Sequence, residues 1–338
     1  MKAAVIHTFN QAFSIDEVPM PIPGADDVIV KVEACGVCHS DLHIAQGDLA
    51  GFNAAAKMPL IAGHEVVGHV VQKGDAVTHL AVGARVGVAW LHAACGRCEQ
   101  CEEGLENLCR NGVITGLMVD GGYAQFMRAK AEYALPVPDS LLSTEAAPLF
   151  CAGVTVYRAL KNAEVRAGQR VAIFGIGGLG HLAVQIAKAF GAEVIALDKT
   201  EGKLALARSL GADYVFNIED PDAIRSIRKR GGAHVALVTS PAKTTYDAAF
   251  KSLRPAGTLA VVGLPPEPLT FAALGLVSGE IRIAGSAVGT RDDLRAVLAL
   301  AAEGKVRCII ETQPLEQIND VFERMRNGLI HGRAVLTL

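Results

Sequence analysis

A chain of 338 residues, about half of them hydrophobic, is long enough for two domains with sizeable buried cores. Its formal charge of −3 and the lack of a Lys/Arg block exclude an electrostatic footprint for nucleic acid, and the most basic stretch, RSIRKRGG (225–232), reads as a solvated helix end. No run of 18 apolar residues offers a membrane span and the opening MKAAVIHTFNQAF lacks signal-peptide features, so a cytoplasmic location is expected, where clustered thiols more often bind metal than form disulfides.

The N-terminal half consists of short apolar runs punctuated by Gly, Pro and Asp. DDVIVKVEA (26–34), EVVGHVVQKG (65–74) and ARVGVAW (84–90) predict strands of a largely β domain, and AGFNAAAKMP (50–59) a surface loop. CGVCHSDLH (35–43) places Cys38, His39, Ser40, Asp41 and His43 in one short stretch. GHEVVGHV (63–70) comes next, with His64 and Glu65 opening an apolar segment. An open catalytic zinc site takes three protein ligands of mixed Cys/His type and keeps water in the fourth position. Cys38 and His64 suit such a site, but spacing does not say which residue is the third ligand. Singly, each residue also has a structural reading: a His beside Glu in a strand is more often structural, and Cys35 is a small buried hydrophobe.

CGRCEQCEEGLENLC (95–109) sets Cys95, Cys98, Cys101 and Cys109 in the spacing C-x2-C-x2-C-x7-C. Four thiolates at about 2.3 Å in a tetrahedron form a closed structural zinc site, and a short loop eased by glycines can wrap one ion. Disulfides between such near neighbours would close strained loops; redox thiols and a nucleic-acid zinc module are the other readings. A closed site leaves no position for water or substrate. This lobe is therefore a staple, and the chemistry belongs elsewhere.

From about residue 153 the pattern changes. RVAIFGIGGLGHLAVQIAKAFGAEVIALD (170–198) reads as strand, glycine turn, helix, strand and acid. The strand is Val171 to Phe174, the turn carries Gly175, Gly177, Gly178 and Gly180, and the helix is apolar at Leu179, Leu182, Ala183 and Ile186. Asp198 ends the second strand. This is the dinucleotide fingerprint: glycines let the backbone close on the pyrophosphate at the helix N-terminus, and the carboxylate accepts from ribose hydroxyls. A carboxylate there repels a 2′-phosphate, which favours NAD over NADP. Further strands are predicted at 213–217, 234–239, 258–263 and 281–286, with helices such as 201–211 and 243–253. Six strands in all suit a doubly wound Rossmann domain, so the fold class is α/β with a second, largely β domain and a soft boundary near 150. Cys308, in KVRCIIET, reads as a core strand residue.

In this order the motifs resemble the zinc-dependent medium-chain alcohol dehydrogenases, most of all the tetrameric bacterial and yeast members. The likeness runs along essentially the whole chain through GVCHSDLH, GHE, the four-cysteine lobe, CAGVTVYRAL, GIGGLG and GRAVL. It implies a GroES-like catalytic domain over 1–152, containing the lobe at 95–109, an NAD-binding Rossmann domain over 153–286, and a return to the catalytic domain over 287–338. It also implies two zinc ions per subunit, a catalytic one on Cys38, His64 and Cys151 and a structural one on the lobe. Read alone, Cys151 would be a buried core thiol. By the same resemblance Asp41 orients His64, and Glu65 assists ligand exchange. Ser40 accepts the alcohol proton and His43 passes it to solvent. His39 and Arg333 contact the pyrophosphate, Lys203 the adenosine ribose beside Asp198, and Thr155 packs the nicotinamide. The turn Gly175, Gly177, Gly178, Leu179 and Gly180 holds the cofactor, and Trp90 lines the alcohol pocket.

The implied activity is reversible NAD-dependent oxidation of primary, and some secondary, alcohols to aldehydes or ketones by a homotetramer, with a dimer second. A relative preferring polyols, secondary alcohols or aromatic aldehydes is the alternative, and a non-enzymatic binding protein a more distant one. Membrane and nucleic acid are not expected partners. Gly47, Asp48, Leu49 and Ala50 replace the Gly-Asp-Trp-Pro usual in the yeast-like members. The missing tryptophan predicts a wider pocket and a broader substrate range.

Overall fold

Period-two patterning builds the sheet that carries the first candidate metal cluster. In the strand Asp27–Gly36, Lys31 and Glu33 turn outward while Val28, Val30, Val32 and Ala34 are buried. This strand pairs antiparallel with Glu65–Lys73, Phe126–Lys130 and Arg333–Thr337. Two of its registers fix the place of the cluster. Gly36 stands opposite both Glu65 and Val335, so the ends of three strands meet at one place. Residues 38, 64 and 333 thereby become neighbours although they are remote in sequence. A side chain at Gly36 would occupy the space of the Glu65 carboxylate, so only glycine fits at this crossing.

The computed structural model describes residues 1–48 and 50–338, without the side chains of Ala50 and Phe52. The described chain forms two compact units. The first comprises Met1–Ala152, Thr290–Ala302 and Cys308–Leu338, and the second Gly153–Gly289 and Glu303–Arg307. The core of the first includes Ile6, Phe13, Val30, Tyr123, Met127 and Phe322. Phe13 packs edge-on against Tyr123 and Phe322 at ring distances of 6.0 and 5.1 Å.

The second unit is a parallel sheet of β1 (Arg170–Phe174), β2 (Glu193–Asp198), β3 (Tyr214–Asn217), β4 (Ala233–Val238), β5 (Leu253–Val261) and β6 (Arg282–Gly285). Their spatial order is β3-β2-β1-β4-β5-β6, the doubly wound order, reversing beside β1. The central strands are apolar without alternation, because helices cover both faces: Val171 to Phe174 and Val194 to Leu197 are all fully buried.

Several local expectations are corrected. The segment 50–59 was expected to be a loop, yet Ala50–Asn53 forms one helical turn, too short to carry a periodic signal. β5 begins at Leu253 rather than 258: Leu253 pairs with Ala233, and the chain then bulges through Ala256 at φ 58° before Thr258 rejoins opposite Val235. A helix at Ala273–Gly279 precedes β6; none of its residues is buried, so it has no inward stripe for the sequence to betray. Cys308 is buried, but in irregular chain ahead of the strand Ile310–Pro314. Among the described residues, no helix is long and apolar enough to cross a membrane.

Candidate active site

The helix His39–Gln46 starts with a capping box that doubles as a ligand scaffold. Cys38 is its N-cap, with φ −105° and ψ 152°, and its Sγ accepts from the Ser40 N–H at 3.5 Å. Asp41, fully buried, closes the box by accepting from the Cys38 N–H at 3.0 Å. Its carboxylate also accepts from the Tyr123 hydroxyl at 2.9 Å, the Gly63 N–H at 3.2 Å and His64 Nδ1 at 3.0 Å. Donors therefore fill the lone-pair capacity of the anion, which explains how it survives without water. Because Nδ1 donates to Asp41, His64 presents the lone pair of Nε2.

That lone pair faces sulfur. Nε2 is 3.3 Å from the Cys151 Sγ, which is 3.9 Å from the Cys38 Sγ. Ligand atoms of Cys38, His64, Glu65 and Cys151 all lie within 4.8 Å of one another, and all four residues are buried. Sulfurs in a zinc tetrahedron stand about 3.8 Å apart, given Zn–S bonds of about 2.3 Å. The donor chemistry and the spacing both fit zinc. The electrostatics agree: the hydrogen bond from Cys151 holds the Cys38 thiol well below its ordinary value despite burial, with the His64 ring adding to the pull. The same bond, with burial, pushes Cys151 well above its own. The two buried thiols thus oppose each other's ionisation, and a bound cation would favour the thiolate form of both.

Glu65 is the fourth member. Burial pushes it up to about 7, against the pull of Arg333, whose Nη2 donates to Oε1. Its other oxygen, Oε2, and the Arg333 Nε are buried without a hydrogen-bond partner among the described residues. Arg333, expected at the pyrophosphate, is itself buried and gives its guanidinium to Glu65. Ser40 Oγ is 3.6 Å from Cys38 Sγ, His39 is exposed, and His43 is half-exposed on the same helix. The Trp90 ring stands edge-on to His64 at 4.8 Å and 84°, packed on Ile44, Leu60, Ile114 and Leu117. Leu49, on which the expectation of a wider pocket rests, lies outside the described residues.

The second cluster is the lobe. Cys98 Sγ is 3.5 Å from Cys101 Sγ and 3.9 Å from Cys109 Sγ, spacings that bracket the zinc tetrahedron, and Cys95 completes the set. These thiols are half-buried.

In the second unit, Gly175 takes φ 96°, and a Cβ on Gly180 would collide with the Gly175 carbonyl, whereas nothing lies within 4 Å of where a Gly177 Cβ would stand. Open backbone at the second glycine, ahead of the helix Gly180–Ala189, is what a pyrophosphate needs. Leu179 is the N-cap of that helix and Gly178 precedes it. Asp198 accepts from the Ile176 N–H at 2.8 Å and the Thr200 N–H at 3.1 Å, which aims the carboxylate at the end of β2 and leaves one lone pair on each oxygen. Lys203 is half-buried on the following helix, and Thr155 is buried on Ala152–Asn162.

Comparisons with known proteins agree in both halves. Residues 24–139 match the alcohol dehydrogenase GroES-like domain, and residues 178–303 the zinc-binding dehydrogenase family. An alcohol dehydrogenase of Geobacillus stearothermophilus is 50% identical over 337 residues, covering 99% of each chain. The chain belongs to the zinc-binding alcohol dehydrogenase family. Solved alcohol dehydrogenases share its fold. That of Aeropyrum pernix is 38% identical, with a TM-score of 0.91 and full coverage of both chains. The acetophenone reductase of Geotrichum candidum, solved with NAD, is 34% identical at a TM-score of 0.89, covering 100% of this chain and 97% of that one. A zinc-binding dehydrogenase of Sinorhizobium meliloti bound to NADP is 28% identical at 0.90, covering 100% and 99%. As in this family, a GroES-like unit is joined to a six-stranded Rossmann-like sheet.

Three features of this dehydrogenase were missed from sequence: the Tyr123 hydroxyl on Asp41, the Arg333–Glu65 pair, and Asp48 beside His43. Only the last had a signal in reach, the Gly-Asp just after the helix.

Proposed function

We propose that the protein is a zinc-containing, NAD-dependent alcohol dehydrogenase that interconverts primary and some secondary alcohols with aldehydes and ketones. The observation that carries this reading is the buried Cys38–His64–Cys151 cluster, with Asp41 fixing the ring so that Nε2 faces the two sulfurs. Cys38, His64 and Cys151 would hold the catalytic zinc and the four lobe cysteines the structural one. When bound, zinc supplies Lewis acidity toward the alcohol oxygen and NAD supplies the hydride acceptor.

The chain's own residues do the rest. As thiolates, Cys38 and Cys151 would offset the charge of the dication they hold. Asp41 fixes the His64 ring by accepting from Nδ1, so that Nε2 is the nitrogen turned to the sulfurs. Glu65, buried and poised near neutrality, offers a carboxylate beside the ligand atoms, and Arg333 restrains it. Ser40 would take the alcohol proton as its own is passed on toward His43, which would accept one proton and release one to solvent. Trp90 walls the pocket against His64. His39 and Arg333 serve the pyrophosphate, Lys203 and Asp198 the adenosine ribose, and Thr155 the nicotinamide. The carboxylate at 198 supports NAD over NADP.

Self-association, as a tetramer before a dimer, is supported by β6, whose outer edge is unpaired among the described strands. Exposed Leu264, Leu274, Val277 and Ile283 lie on and before it. A cytoplasmic location fits eight free cysteines. The test is cofactor reduction on a panel of alcohols with NAD and with NADP. Turnover of primary alcohols with NAD preferred is expected; no turnover with any alcohol or aldehyde overturns the reading.

A further inference from the structure

The helix His39–Gln46 ends in a turn that delivers a carboxylate to one of its own side chains. Gly47 takes the left-handed conformation, φ 67° and ψ 29°. The Gly47 N–H bonds to the Ile44 carbonyl at 3.1 Å and the Asp48 N–H to the His43 carbonyl at 3.3 Å, the paired bonds of a Schellman ending. Such a turn folds the residue after the glycine back over the last helical turn. Asp48 consequently meets His43: both carboxylate oxygens are 3.0 Å from Nδ1. Asn53 Nδ2 pins the turn by donating to the Gly47 carbonyl at 2.6 Å, and Phe9 leaves no room for a side chain at 47. An acid just past a helix C-terminus faces the negative end of the macrodipole, so the placement is opposed unless a donor meets it. His43 is that donor.

We infer that Asp48 is a positioning residue of the proton relay, holding His43 in the Nδ1–H tautomer so that the Nε2 lone pair is free to take a proton. This rests on the dehydrogenase reading above. A neutral imidazole has one donor and one acceptor nitrogen, and the partner of the first decides which nitrogen is the second. The step balances without redox change. Nε2 takes one proton while Nδ1–H stays on Asp48, the same Nε2 then gives one proton to water, and the ring returns to its starting form. Both side chains are partly exposed, 39% and 48%, so the ring can exchange protons with solvent.

The test combines a spectrum and a kinetic cycle. In protein labelled with imidazole-15N histidine, recorded about 2 pH units above the ordinary imidazole value, the resonances assigned by their loss in His43→Ala should report Nδ1–H in wild type. In Asp48→Ala they should move toward the Nε2–H form. On an alcohol substrate Asp48→Ala should lower kcat/KM about tenfold with an unchanged thermal midpoint, and should add less than twofold to the loss in His43→Ala. An active wild type whose Asp48→Ala variant keeps tautomer and rate, or whose losses are additive, overturns the role of Asp48 alone. A wild type without alcohol-dependent NAD reduction overturns the dehydrogenase reading, and the relay with it.

Discussion

Cys95, Cys98, Cys101 and Cys109 come from one loop and stand half-buried; Cys38, His64 and Cys151 come from three segments and are buried. Both clusters have the spacing of zinc ligands, but their surroundings differ. The lobe is fastened to its unit by structural contacts. Arg291 donates to Glu106 and Glu132 and covers the Tyr133 ring, whose hydroxyl accepts from the Ala94 N–H at 3.0 Å. The buried cluster is instead ringed by groups that tune protons: Asp41, Glu65, Arg333 and Ser40. A cluster of thiols is a staple or a reactor according to what stands behind it.

The largest contrast should appear on removing a ligand from each. His64→Ala should lower turnover by roughly 10³-fold or more, since the Lewis acid contributes several kcal/mol, while circular dichroism stays native. A stability loss with retained turnover per folded molecule would break the contrast. In the lobe, Cys98→Ser should do the reverse. Structural zinc stabilises the fold, so the thermal midpoint should fall by roughly 10 °C while activity measured in the cold is largely kept.

Asp41 sharpens the comparison from the side of the buried site. Asp41→Ala frees the His64 ring and strands the Tyr123 hydroxyl and two N–H groups. Zinc affinity at that site alone should fall about 10–100-fold, read by chelator competition, with the lobe zinc retained. The smallest effect concerns His92, on the strand Leu91–Ala93 before the lobe, which burial pulls down to about 4. Its folded value lies below its unfolded one, so the unfolded chain binds the extra proton. The contribution is whole above pH 6.5 and is lost as pH falls toward 4. Between pH 6.5 and 5.5 this removes about 1 kcal/mol of stability, and His92→Gln should flatten that part of a denaturation series.

Legibility in the sequence obeys the same division. The lobe could be read because its four ligands lie within one loop, where spacing is geometry. The glycine turn and Asp198 could be read because strand, turn and helix succeed one another in order. Cys151 could be read as a ligand only through the family resemblance, since the packing of the turn Ala147–Phe150 on the sheet, not spacing, brings it to Cys38 and His64. Tyr123 reaches Asp41 across 82 residues with no local signature. The helix Ala273–Gly279 was missed because it buries no face within the chain.

The division of labour is tested most directly by zinc content per chain together with alcohol-dependent NADH formation in wild type and Cys38→Ala. Two zincs with turnover in the wild type, and one zinc without turnover in an equally stable variant, are the expected results. One zinc in the wild type, or a Cys38→Ala enzyme that still turns over, would contradict it.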